Sequence, residues 1–244
     1  MSDVREVLEK AYKELAIKDF PDGERIRFIA ELGASDDIDY HYKLICDSWK
    51  SGRRLYLENS FDRHGAEGIE FLFAKLCEVE GDIIKVLTAY LIAEILSKSR
   101  HRDFYAGFCK RLIPILISEI KTCDEVLRRK LIIALGWVGT SNEIGFLTRQ
   151  MLSDDDALCR VWSASSLMQM SFHGVSKEEV CEASKDAFAK VLSDEKDIQA
   201  CGLILESVQT LYGKKWVSSS AVEDVDEARI EKGRKSALRF LSKL

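Results

Sequence analysis

The sequence predicts an all-α protein, and three observations carry that expectation. Apolar residues recur with helical spacing along almost the whole chain, and strand-like alternation is not sustained over any comparable length. The 244 residues include only 2 Pro and 14 Gly, too little punctuation for the many turns of a β-sandwich. The breaks between apolar segments are short and carry Asp, Ser or Asn, whose side chains cap exposed helix N–H groups. About eleven or twelve helices are expected, joined by loops short enough to make neighbours antiparallel.

Taken in order, the first segment, MSDVREVLEKAYKEL, is charged and amphipathic, with neither the apolar core nor the cleavage site of a secretory leader. Breaks near residues 19–21, 33–37, 50–52 and 59–65 divide the following stretch. Ile69, Leu72, Phe73, Leu76 and Cys77 then fall on one helical face. The next helix, from Asp82, is apolar nearly all round. Lys85 and Glu94 interrupt it, and its apolar run is too short to span a bilayer, so it reads as buried. After breaks near 80–82, 100–103 and 122–124, Leu127, Leu131, Ala134, Leu135 and Val138 make another single face. Further breaks fall near 139–142, 153–156, 173–176 and 193–194, and residues 213–223 read as a linker. The last helix opens with Glu223, Asp224, Asp226 and Glu227 and continues with Arg229, Lys232, Arg234 and Lys235, an order that suits the helix dipole.

Charge and cysteine content limit the function classes. With 36 Lys+Arg against 41 Asp+Glu the formal net charge is -5, which does not suit a protein that coats nucleic acid. At 46% hydrophobic the chain is not disordered. The seven cysteines, Cys46, Cys77, Cys109, Cys123, Cys159, Cys181 and Cys201, are widely spaced without a CxxC pair. They read as reduced, mostly core thiols of a cytoplasmic protein rather than a disulfide framework or a zinc site.

One pattern repeats. Asp124 is followed four residues on by Arg128 and then by Leu135; Asp156 is followed at the same distances by Arg160 and Leu167. The two copies lie 32 residues apart, with weaker, slipped echoes starting at Asp82 and Asp194. A repeat of this length is the signature of a helical solenoid. The copy RRKLIIALGWVG resembles the short bacterial form of the HEAT repeat, D-x-x-V-R-x-x-A-x-x-A-L-G, while CRVWSASSLMQM departs from it at Ser166 and Gln169. The resemblance implies a right-handed α-solenoid of antiparallel helix pairs. Residues 1–65 would form an N-terminal cap, 66–212 the repeats, and 213–244 a linker and capping helix, all in one continuous domain. In such a repeat Asp124 and Asp156 cap the inner helices, and Arg128 and Arg160 reach neighbouring carboxylates or carbonyls.

HEAT arrays serve mostly as curved protein-binding scaffolds, so the resemblance implies a non-enzymatic scaffold or adaptor. By analogy, an acidic helical repeat of this size also suits an immunity protein that neutralises a basic bacterial toxin. The alternative is a HEAT-like nucleic-acid-binding protein or DNA glycosylase. That reading would use Arg128, Arg160, Trp137, Trp162 and Asp156, and basic clusters also stand at 53–54, 100–102, 110–111, 128–130 and 214–215. GxSxG, HExxH, GxxxxGK[ST] and GxGxxG are all missing, and nothing calls for a cofactor, a metal or a membrane. His64, with Arg63 and Asp62, makes the most pointed polar loop, able to orient a phosphate or transfer a proton, set against an ordinary capped turn; Arg63 and His64 are candidate partner-binding residues. Of the four tryptophans, Trp216 in KKWVSSS is the candidate partner anchor, while Trp137 and Trp162 suit the core at least as well.

Overall fold

Seven helices start at an Asp or Ser whose side chain accepts a backbone N–H two or three residues on: Asp37, Asp124, Asp156, Ser176, Asp197, Ser218 and Asp226. Each satisfies one or two of the N–H groups that a helix leaves unpaired at its first turn. The computed structural model describes residues 2–78, 82–121 and 124–244, with side chains from residue 4 onward. Among them the chain is 81% helix, without strands, in thirteen α-helices.

In chain order these are α1 (Ser2–Ile17), α2 (Asp22–Ala34), α3 (Ile38–Ser51), α4 (Gly65–Glu78), α5 (Asp82–Lys98), α6 (Tyr105–Ile120) and α7 (Glu125–Val138). They continue with α8 (Ile144–Ser153), α9 (Ala157–Met170), α10 (Lys177–Asp194), α11 (Ile198–Tyr212), α12 (Ser219–Glu223) and α13 (Glu227–Leu241). Two 3-10 segments, Leu57–His64 and Ser141–Glu143, precede α4 and α8. No helix among the described residues is long and apolar enough to cross a membrane.

The chain divides into two compact units, Met1–Ile95 and Leu96–Leu244, and the boundary falls inside α5. In the first unit Phe28, Leu32, Ile45, Leu57, Phe61, Ile69, Leu72 and Ile92 are almost completely buried. Arg5 grips Asp37, the α3 cap, through Nε (2.7 Å) and Nη2 (2.8 Å), and the Tyr42 and Thr88 hydroxyls share a buried 2.7 Å hydrogen bond.

In the second unit α7 packs on α9 and α9 on α11, while α8 packs on α10 and α10 on α13. Helices α7 and α9 approach closely because Gly136 has no side chain: a Cβ there would lie 2.7 Å from the Cβ of Ser166. Ser166, where the HEAT pattern has Ala, sends its hydroxyl across to the Ile132 carbonyl at 2.8 Å, so the buried polar atom is satisfied.

Several local expectations need correction. The break expected at 59–65 is a 3-10 helix, Leu57–His64, bounded by Tyr56 (φ 58) and Gly65 (φ 58) and held down by the buried Leu57, Ser60 and Phe61. The linker at 213–223 contains α12, which Val217, Ala221 and Val222 pin down by burial. The weak echo expected from Asp194 begins three residues later, at the cap Asp197, because Asp194 still belongs to α10. Cys77, placed on the core face of α4, is exposed at the helix end; Cys46, Cys109, Cys159 and Cys201 are buried free thiols. Cys123 and parts of the breaks at 80–82 and 122–124 lie outside the described residues.

Candidate functional site

The repeated Asp and Arg residues are joined by a ladder of charge pairs. Arg128 donates to Asp154 from Nε and Nη2, both at 2.8 Å. Arg160 donates in the same two-pronged way to Glu195, at 2.7 and 2.9 Å, and also to the Asp154 carbonyl at 2.8 Å. Asp154 and Glu195 each stand two residues before a cap, Asp156 or Asp197, and each accepts that cap's backbone N–H at 3.0 Å. Their side chains are only 3% exposed. Burial pushes the Glu195 carboxyl up, but the Arg160 pair and the backbone N–H bonds overcome it and hold it low. Asp156 carries a second duty: its carboxylate takes Nε and Nη2 of Arg129 at 2.9 and 2.7 Å, which with the Cys159 N–H lowers it to about 2. Asp124 caps α7 through the N–H groups of Val126 and Leu127.

The same register leaves apolar side chains uncovered. Val126 and Leu158, each two residues after its cap, are 55% and 39% exposed. Six residues after the caps stand Trp162, 38% exposed, and the half-buried Leu203. A groove of about 400 Å³ runs between α9 and α11, bordered by Leu158, Trp162, Ser165, Met168, Leu203 and Glu206. Glu206 is its single charged lining residue among those described. A ring and a leucine beside an apolar trough, with one carboxylate, can seat an apolar anchor next to a cation.

No family model, curated protein or solved structure matches the chain. The arrangement of its own side chains therefore carries the functional argument.

Trp216, the anchor expected from the sequence, is half-buried as packing. Its ring lies 5.5 Å from Phe240 of α13, and its backbone N–H donates to Gln209 Oε1 at 2.9 Å. Trp162 is the tryptophan left exposed. Arg63 is exposed, with only a long 3.4 Å hydrogen bond to the Ala30 carbonyl. His64 does not stand alone: its Nε2 lies 2.8 Å from Nδ1 of His41, whose Nε2 lies 2.8 Å from the Leu57 carbonyl. A carbonyl only accepts, so His41 donates from Nε2 and must accept at Nδ1 from the Nε2–H of His64. Burial lowers His41 to about 4, against the Leu57 bond and with the help of the neighbouring His64; His64 is lowered too, chiefly by burial. The pair spans 23 residues and two elements, a relation no local motif carries. Among the described residues no group of three or more His, Cys, Asp or Glu is placed to hold a metal ion.

Proposed function

We propose that the second unit is a HEAT-like helical repeat, a short right-handed α-solenoid, and that it works as a non-enzymatic scaffold holding a protein partner. The recurring register of cap, arginine and uncovered apolar residue on α7 and α9 supports this most strongly. Stacked repeats need internal ties, and they present equivalent positions side by side as one binding surface. Here the ties are the Arg128–Asp154 and Arg160–Glu195 pairs, and the surface is the Leu158–Trp162–Leu203 groove.

The partner this surface suits is a protein segment with an apolar anchor and a basic residue to meet Glu206. The net charge of -5 steers a basic protein toward it. In its narrower form the proposal is an inhibitor of a basic toxin acting in the cytoplasm. The nucleic-acid alternative is the weaker one, because Arg128 and Arg160, the residues it relied on, are already engaged by carboxylates.

Copurification from the source cells tests the reading with wild type and Trp162→Ala side by side. Wild type should retain one dominant partner at near-equal stoichiometry, and Trp162→Ala, still helical, should release it. Retention of the same partner by both, or binding of duplex DNA at low salt without any protein partner, would overturn it.

A further inference from the structure

We propose that the cleft between the α5–α6 connection, the start of α8 and the α9–α10 loop binds a small organic anion with an apolar body. This is independent of the partner groove, and it lies wholly within the second unit. The cleft measures about 1130 Å³, slightly larger than a usual small-molecule site. Ile113, Pro114, Val138 and Val175 give its lining an apolar part.

The cationic part of the lining is built around Arg100. Arg100 is seated by Nη1 on the Phe172 carbonyl at 2.8 Å, against Gly174. Gly174 has φ +107, and a Cβ there would stand 2.9 Å from Arg100 Nη2, so a side chain at 174 would displace the guanidinium. Arg100 has no carboxylate partner among the described residues, and neither does Lys110, which also lines the cleft. This contrasts with the ladder arginines, whose charges are satisfied internally.

Beside Arg100, the buried Nδ1 of His173 has no hydrogen-bond partner within the described chain. A buried imidazole nitrogen left unpaired is costly, which sets His173 apart from the paired His41 and His64. Burial, then the Arg100 charge, pushes His173 below its ordinary range.

Two carboxylates in the same lining narrow the class of ligand: Glu143, folded back on Thr140, and Glu179. Carboxylates there repel a second anionic group, which disfavours a polyanion such as nucleic acid. They favour a ligand whose one acidic head meets Arg100 and Lys110 while its body covers the apolar lining.

The test uses two fluorescent probes that differ by a single charge, 8-anilinonaphthalene-1-sulfonate and its neutral counterpart N-phenyl-1-naphthylamine. The sulfonate should bind at one saturable site, about tenfold more tightly than the neutral probe. Arg100→Gln/Lys110→Gln should weaken the sulfonate by about tenfold, and Lys110→Gln alone, at an exposed and unpaired position, by about threefold with the fold untouched. Trp162→Ala should leave binding unchanged. Absence of binding, equal affinity for both probes, indifference to Lys110→Gln, or loss on Trp162→Ala would each overturn the proposal.

Discussion

The Arg160 guanidinium clasps the Glu195 carboxylate through two parallel hydrogen bonds, and Glu195 in turn accepts the backbone N–H of the α11 cap Asp197. One buried carboxylate thus ties α9 to the start of α11. Arg128 and Asp154 tie α7 to the start of α9 in the same manner.

Arg160→Ala should therefore be destabilising, by on the order of 3 kcal/mol, because it strands a buried carboxylate. Arg160→Ala/Glu195→Gln should recover part of that loss, since the uncompensated charge is gone. Lys190→Ala, which breaks only the exposed Lys190–Asp194 pair, should leave the urea midpoint unchanged. Equal midpoints for all three variants would show that the ladder contributes nothing.

Gly136 and Ser166 give a second prediction. Gly136→Ala puts a methyl 2.7 Å from Ser166 Cβ and should cost about 1–3 kcal/mol through forced separation of α7 and α9. Combining it with Ser166→Gly removes the Cβ and Oγ contacts but not the 2.8 Å approach to the Cα of residue 166, so it should recover only part of the loss, which a double-mutant cycle of unfolding free energies measures.

His41 makes the first unit sensitive to acid. The unfolded chain takes up a proton as pH falls below about 6.5, whereas folded His41 resists until about 4. Its contribution is complete above 6.5 and drains away between 6.5 and 4, by about 3 kcal/mol over the window. Protonating Nδ1 would also set two N–H groups against each other across the His64 contact. Unfolding free energies at pH 7 and pH 5 should fall steeply for wild type and less steeply for His41→Gln.

The thiols should divide by burial. Cys77, exposed on α4, should react quickly with a thiol reagent at pH 8. Burial lifts Cys109 and Cys201 to about 11 and Cys159 to about 12, so these should be labelled only after unfolding. Peptide mapping of the labelled protein distinguishes them.

What the sequence reveals is what it encodes locally. Asp124 and Asp156 are legible as caps because each acts two or three residues away. The partners of Arg128 and Arg160 are not, because Asp154 and Glu195 lie 26 and 35 residues further on and are selected by helix stacking. Trp162 illustrates the other limit. Its helix is buried on the faces that meet α7 and α11, and only the packing decides that position 162 stays uncovered while Trp216 finds Phe240. Arg100, His101 and Lys110 read as two separate basic clusters, and the fold brings them to the lining of one cleft.

Photo-crosslinking bears most directly on the partner surface. A photoreactive residue replaces Trp162 in one sample and the exposed Asp186 of α10 in another, and both are irradiated in extracts of the source cells. A single adduct of defined mass from position 162 and none from 186 is the predicted result. Adducts of the same yield from both positions, or from 186 alone, would contradict the assignment of the α9–α11 groove as the binding surface.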